Sequence, residues 1–343
     1  MAKVTISDIA RKAEVSKTTV SFAFNDPSRL PEETVKRILR IADELGYSPN
    51  PLARSMTTKR TGNIGILFPQ PLTGILENPY TAELLRGIGI ACSRTGDNLL
   101  LVSPVLGNMR HAVTHAVVDG FLTIGLEYYK PTVALLDQRG VPYVMVDSEP
   151  VPNIVSVNTD DAGGAYQAMR YILEQGHRRI AIFGITSGKH GNFNSYIGTL
   201  HERISGYRRA LQEFDLDIDG EHVRLFECDC SFEGGQHGFT RCWEAQQPTA
   251  IVAMADIIAI GALNTASKTG VQVPDELSII GYDDLPTAHL TTPKLTTIHQ
   301  AIAEKGEYAA TQLLAILANN EPTLRHLFST HLVERDSVAP PLN

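Results

Sequence analysis

Apolar positions in the first fifty residues recur at helical spacing. Ile6, Ile9, Ala10 and Ala13 fall at i, i+3, i+4 and i+7, which predicts a helix with one buried stripe and one polar face. Ser16 restarts the chain as an N-cap; Val20 and Ala23 then point inward, while Lys17, Thr18, Thr19, Ser21 and Phe22 face outward. Two short helices set at an angle by a tight turn have the shape that lays one helix into a DNA major groove. Pro31-Glu32-Glu33-Thr34 opens a third helix, because Pro suits the first turn and acids suit the positive helix end. Val35, Ile38, Leu39, Ala42 and Leu45 are its expected stripe, and Gly46 ends it. Asn50 as cap and Pro51 at the first helical position encode a fourth helix, too short to persist alone in water. Thr57 to Gly62 reads as a polar linker.

From Asn63 the pattern switches to short apolar runs separated by helical stretches. Strands are expected at Ile64–Phe68, Leu99–Val102, Phe121–Ile124 and Tyr143–Val146, then at Ile180–Phe183, Val223–Phe226, Ala250–Met254 and Leu277–Gly281. Helices are expected between them, near Tyr80–Arg94, Met109–Ala116, Pro131–Arg139, Ala162–Gln175, Leu200–Phe214, Phe232–Ala245 and Ile257–Thr269. Such alternation predicts an α/β body of doubly wound parallel sheets in two lobes. Ile302–Leu317 is read as a further helix, and Leu327–Asp336 as a final strand in the second lobe. The resulting division is 1–48 for the helical domain, 49–61 for hinge and linker, and 62–343 for the body. Within the body, the first lobe takes 62–160 and 295–323, and the second takes 161–290 and 324–343.

A length of 343 residues supports this division, since a single core stops growing below that size. The net charge of −8 is unevenly spread: residues 1–62 hold 11 Lys and Arg against 7 Asp and Glu, a balance of +4 that leaves −12 on the rest. A basic segment on an acidic body fits a nucleic-acid anchor joined to a sensing or catalytic body. No run of 18 apolar residues and no basic-then-apolar leader is visible, so membrane and secretion are not expected and the cytoplasm is. Cys92, Cys228, Cys230 and Cys242 are too few and too irregular for a disulfide framework. Cys228-x-Cys230 lacks a second ligand pair, so no metal is expected.

Two motifs then narrow the reading. Ile6-x-Asp8-Ile9-Ala10 … Ala13-x-Val15-Ser16-x-x-Thr19-Val20-Ser21 … Asn25 is followed by Gly46-Tyr47-x-Pro49-Asn50-x-x-Ala53-Arg54-Ser55. In this order and spacing they resemble the lactose repressor-like (LacI/GalR) family of transcriptional regulators, and the likeness extends more loosely over nearly the whole chain. The resemblance implies that the helix from Ser16 reads base edges and that hinge helices of two subunits pair in the minor groove. It also implies that Leu295–Gln300 returns the chain to the first lobe, where the helix Ile302–Leu317 follows. The positions it gives to DNA are Thr5, Ser16, Lys17, Thr18, Thr19, Ser21, Phe22, Asn25, Asn50, Ala53, Arg54 and Met56. Met56 stands where the family usually places a leucine wedge, and Phe22 where several relatives carry Arg or His. Phe cannot donate to guanine but can touch a thymine methyl, so operator preference at that pair is expected to differ; the alternative is an aromatic of the small core.

In doubly wound sheets ligands settle outside the carboxyl ends of strands. The candidates there are Asn78, Tyr80, Asp147, Asp160, Asp256 and Asp283, joined by Arg203 in Arg203-x-x-Gly206-Tyr207. Asp after a strand also caps the next helix, which is the competing reading of Asp160 and Asp256. Arg203 and Asp283 match effector-binding positions of the family, and Asp256 matches a third motif with Ala255 in place of the usual polar residue. Cys230 replaces an aromatic that stacks on the effector in relatives. Thr186–His201 is longer than usual and is read either as a lid or as a solvated excursion. Several acceptors with one arginine suit a polyol, because a missing partner leaves a buried group unsatisfied. The expected function is therefore a homodimeric regulator, most simply a repressor, of a pseudo-palindromic double-stranded DNA operator. A small effector controls it, a sugar or sugar derivative, or alternatively a purine, a nucleoside or a protein co-regulator, with no cofactor. A solute-binding protein would share the body but not the DNA anchor. An enzyme reading finds no Ser-His-Asp elbow, phosphate loop or metal set.

Overall fold

The computed structural model describes residues 4–48, 55, 59–104, 107–125, 131–149, 151–186 and 193–342. The chain divides into an N-terminal unit, up to Asn63 with Val117–Asp119, and a body made of Ile64–Ala116 and Gly120 onward.

The N-terminal unit consists of α1 (Ile6–Lys12), α2 (Lys17–Asn25) and α3 (Glu32–Glu44). Thr5 starts α1 by donating its amide and hydroxyl to the Asp8 carboxylate, at 3.0 and 2.7 Å. Ser16 starts α2, its Oγ accepting from the Thr19 amide at 3.0 Å and satisfying an otherwise orphaned donor. Ile9, Val20 and Ile38 are fully buried where the three helices meet. On α3 the buried residues are Ile38, Ile41 and Ala42, with Val35 half-buried and Leu39 exposed, which corrects the expected stripe; Leu45, just past the helix, is half-buried against the same core. Both sets have helical periodicity. The one centred on Ile38 and Ile41 meets α1 and α2.

In the body, β1 (Asn63–Leu67), α4 (Leu72–Glu77), α5 (Pro79–Thr95), β2 (Asn98–Val102), α6 (Met109–His115), β3 (Gly120–Ile124), α7 (Pro131–Arg139), β4 (Tyr143–Val146) and β5 (Ser156–Thr159) come first. Next are α8 (Asp161–Glu174), β6 (Ile180–Ile185), α9 (Gly198–Gln212), β7 (Val223–Cys228), α10 (Phe232–Ala245), β8 (Ala250–Ala253), α11 (Asp256–Thr269) and β9 (Ser278–Asp283). The chain finishes with β10 (Thr296–Gln300), α12 (Ile302–Leu317), β11 (Arg325–Phe328) and β12 (Thr330–Val333). They build two six-stranded sheets, ordered β11-β5-β4-β3-β1-β2 and β12-β10-β9-β8-β6-β7. β12 runs antiparallel to β10.

Two chain paths differ from expectation. Thr296–Gln300 does not return to the first lobe; it pairs with β9 in the second sheet, and the crossing falls just after it, before α12. The final run is not one strand: Arg325–Phe328 pairs with β5 in the first sheet, and after Ser329 the chain enters the second sheet as β12. A continuous β-rich run carries no mark of the sheet it joins, so the break at Ser329 was invisible in the pattern. β5 was also unforeseen, because Ser156, Asn158 and Thr159 are polar. Asn158 is accommodated by exchanging hydrogen bonds with Ser148, and Thr159 by its contact with Gln300.

Close packing of α5 on α12 holds the first lobe together. A Cβ at Gly87 would lie 1.8 Å from the Ala303 carbonyl oxygen, and one at Gly306 would lie 2.4 Å from that of Leu84. The two helices therefore touch backbone to backbone. Gly87→Ala is expected to cost about 1–3 kcal/mol by forcing them apart. Urea unfolding followed by circular dichroism measures this, and an unchanged midpoint would contradict such close contact.

Candidate functional site

The carboxyl ends of both sheets face a cavity of about 580 Å³. From the first lobe its lining includes Phe68, Asn78, Tyr80 and Asp147. From the second it includes Asp161, Arg203, Asp229, Cys230 and Asp283, and Gln300 lies at the crossing.

Each side chain is placed by a local feature. Asn78 caps α5, its Oδ1 accepting from the Tyr80 amide at 3.0 Å, and its Nδ2 donates to Cys230 Sγ at 3.4 Å across the cavity. The Tyr80 hydroxyl donates to Asp147 Oδ2 in a short hydrogen bond. Arg203, on α9, donates through Nε to Asp161 Oδ1 at 2.7 Å and through a terminal nitrogen to the Met254 carbonyl. Its guanidinium also lies 3.7 Å from the ring centroid of Tyr282. Gln300 Nε2 donates to Asp283 Oδ1 at 2.6 Å. Asp147 and Asp283 leave their strands with φ of 53° and 125°, a side of the map that L residues enter at a cost and that clusters at functional sites.

Burial governs the electrostatics. Desolvation raises the Asp161 carboxyl, with Arg203 opposing it. Desolvation also works against the charge of Arg203, but Asp161, Tyr282 and Asp283 outweigh it and raise its value further. Desolvation pushes Asp283 up to about 6, against the opposing pull of Arg203, Gln300 and Lys305. Burial holds the Cys230 thiol up at about 12, so the cavity meets a neutral S–H there.

Five of the seven expected ligand residues line the cavity: Asn78, Tyr80, Asp147, Arg203 and Asp283. The other two do not. Asp160 caps α8, its Oδ1 accepting from the Gly163 amide at 2.9 Å, and the adjacent Asp161 takes the place on the wall. Asp256 is fully buried behind the wall, where it accepts from the Leu285 amide at 2.7 Å and the Thr297 hydroxyl at 2.5 Å. Sequence reasoning missed Asp161, Gln300 and Lys305. Lys305 carried a signal, since it falls on the buried stripe of α12 between Ile302 and Ala309. Tyr80 and Phe68 are the aromatic side chains among the lining residues. Of the long segment after Thr186, Phe193 and Tyr196 are buried in the core of the second lobe, whereas Lys189, His190 and Asn192 lie outside the described residues.

In the N-terminal unit, Lys17 and Thr18 are exposed, and Thr19, Ser21 and Phe22 are half-buried. Asn25 donates to the Ser21 hydroxyl at 3.2 Å, and the Arg29 guanidinium lies 5.1 Å from the Phe22 ring centroid. Phe22 is thus not a core residue of the three helices. Asn50, Ala53, Arg54 and Met56 lie outside the described residues.

Residues 5–50 match the description "Bacterial regulatory proteins, lacI family", and residues 169–338 match a periplasmic binding protein-like domain. The HTH-type transcriptional repressor PurR of Pectobacterium atrosepticum is 34% identical over 98% of this chain and 97% of its own length. The chain belongs to the LacI family. As a member it is a DNA-binding transcriptional regulator. Solved structures similar to the chain include a transcriptional regulator CelR in complex with cellobiose, 26% identical, with a TM-score of 0.70 over 98% of this chain and all of that one. The lac repressor dimer bound to operator and the anti-inducer ONPF, 22% identical over 98% of this chain and all of that one, shares the fold at a TM-score of 0.82. Among the described residues no helix is long and apolar enough to cross a membrane.

The raised Asp283 fixes the sign of a pH effect. Between its ordinary value of 3.8 and about 6 the folded chain binds a proton that the unfolded chain has released. The stability this contributes is complete below the ordinary value and is lost as pH rises through about 6. Asp283→Asn has no such proton, so its stability relative to the parent is expected to rise by about 2–3 kcal/mol on going from acid to neutral pH. Denaturant unfolding at several pH values measures it, and a flat difference would show that Asp283 takes up no proton on folding.

Proposed function

We propose that this protein is a homodimeric repressor of a pseudo-palindromic double-stranded DNA operator, whose operator affinity is set by a small polyhydroxylated effector in the cleft between the lobes. The observation that carries the effector half is the arrangement of the cavity. Asp147 and Asp283 offer acceptors from opposite lobes, Arg203 offers a donor, and Tyr80 provides a ring face. Sugar hydroxyls both donate and accept, and a wall of fixed partners discriminates epimers because a misplaced hydroxyl leaves a buried group unpaired. The similar regulator solved in complex with cellobiose supports the same class. A purine or nucleoside is the second reading, favoured by the ring faces of Tyr80 and Phe68, while Cys230 offers no second aromatic to sandwich a base. A resident cofactor has no place in the proposal, and no metal-binding group of His, Cys, Asp and Glu occurs among the described residues.

On the DNA side, the outward face of α2 presents Lys17, Thr18, Thr19 and Ser21, with Phe22 and Asn25 following. Short hydroxyl side chains and a lysine on a capped helix suit base edges and phosphates. Thr5 and Ser16 set the starts of the two helices, and Asn50, Ala53, Arg54 and Met56 are proposed for the minor groove. An effector that prefers one arrangement of the lobes then changes operator affinity by a reciprocal factor.

Selection from random duplexes is expected to enrich a two-fold pseudo-symmetric sequence, and Lys17→Ala to weaken binding to it and flatten its salt dependence. Enrichment of no sequence would contradict the operator reading. For the effector, thermal-shift screening of neutral sugars and nucleosides should give a ligand that raises the melting temperature. Asp283→Asn is expected to weaken that ligand about tenfold or more while operator binding without ligand persists. A ligand whose affinity is indifferent to Asp283 would place the site elsewhere.

A further inference from the structure

Lys305 is 1% exposed, an unusual place for an ammonium group, and it lies beneath the cavity. Its three N–H donors have three acceptors: Asp147 Oδ1 at 2.7 Å, Thr159 Oγ1 at 3.1 Å and Gln300 Oε1 at 3.1 Å. No donor is left over for a ligand. The origins of these partners matter more than their number. Lys305 sits on α12, which packs on the first sheet; Asp147 directly follows β4 and Thr159 ends β5 of that sheet. Gln300 ends β10 of the second sheet and passes the connection on through its amide to Asp283 at 2.6 Å. On the other side Asp147 accepts from Tyr80. An unbroken chain of hydrogen bonds therefore runs from Tyr80 through Asp147, Lys305 and Gln300 to Asp283, joining the two walls of the cavity.

We propose that Lys305 is an interlobe positioning residue: its ammonium fastens Asp147 of the first lobe to the Gln300–Asp283 pair of the second, fixing the separation of the acceptors that face each other across the cleft. The strut lies beside one of the three chain crossings, where a short fastening restrains the hinge most directly. It acts with the cleft empty, and it sets the geometry that an effector meets. This rests on the cleft being the effector site, but its test needs neither effector nor DNA, so the two readings stand or fall separately.

The full-length protein is labelled with spin probes on p-acetylphenylalanine at Gln138 and Glu244, both exposed, on α7 of the first lobe and α10 of the second. Dilution with unlabelled protein isolates the distance within one chain, which pulsed electron resonance then reads. The parent is expected to give one narrow interlobe distribution, and Lys305→Met a broader and shifted one. Gln300→Leu cuts the strut on its second-lobe side while leaving the Lys305–Asp147 pair in place. It should broaden the distribution as Lys305→Met does, and combining the two should add little. The double variant Lys305→Met with Asp147→Asn removes the unpaired carboxylate that the single change leaves. If Lys305 serves only to neutralise Asp147 inside the first lobe, this pair restores the parent distribution and overturns the proposal; under the proposal the distribution stays broad. An unaltered distribution in Gln300→Leu overturns it equally, and that variant removes no charge that folding depends on.

Discussion

Taking charge out of water is the constraint on which the lobe junction depends. Asp161, Arg203, Asp283 and Lys305 are each 7% exposed or less, all beside one cavity. A buried ion stripped of its partner costs several kcal/mol, so each of these groups fixes the neighbours it needs. Arg203 takes Asp161, the Met254 carbonyl and the face of Tyr282; Lys305 takes three oxygens; Asp283 takes the Gln300 amide. The consequence for function is orientation. A carboxylate that already accepts a fixed hydrogen bond presents its free lone pairs in one direction, and a ligand meets a wall that is already arranged.

The chain path makes this arrangement possible. The connection from β5 to α8 brings Thr159 next to Asp161, and that from β10 to α12 brings Gln300 within reach of Lys305. Two of the three crossings therefore supply site residues. Asp284 shows the opposite outcome, one residue past Asp283. Burial alone would raise its carboxyl, but Arg335 and His299 outweigh this and hold it below its ordinary value. It braces the second sheet with these partners and is not part of the cavity wall.

Much of this was legible from residue order, for reasons that also explain the failures. Periodicity located nearly every helix and most strands because those elements bury one face or two, and burial selects apolar side chains. It failed at β5, whose polar residues are buried with partners supplied by the loop after β4 and by β10. It failed again at Ser329, because pairing is decided by distant strands. In the site, the rule that polar residues follow strands found Asp147 and Asp283 but chose Asp160 over Asp161. Both follow β5; only the helix geometry decides which caps and which faces the cavity. Lys305 stayed hidden because a lysine on a helix is ordinarily solvated, and its partners lie up to 158 positions away in sequence. The lacI-type motif that opens the chain, by contrast, is local, and residues 5–50 carry the family match.

The backbone at Asp147 and Asp283 bears on how such a site can change over generations. With φ of 53° and 125°, both positions favour glycine and tolerate asparagine or aspartate, whereas β-branched and bulky side chains meet steric opposition there. A shift in ligand preference at these two acceptors is thus steered toward asparagine, which keeps an oxygen and adds a donor, or toward glycine, which opens space. Larger changes in what the cleft accepts must come from residues on ordinary backbone, such as Cys230 and Tyr80. The main chain thus restricts two of the cavity's acceptors and leaves its other lining side chains free to vary.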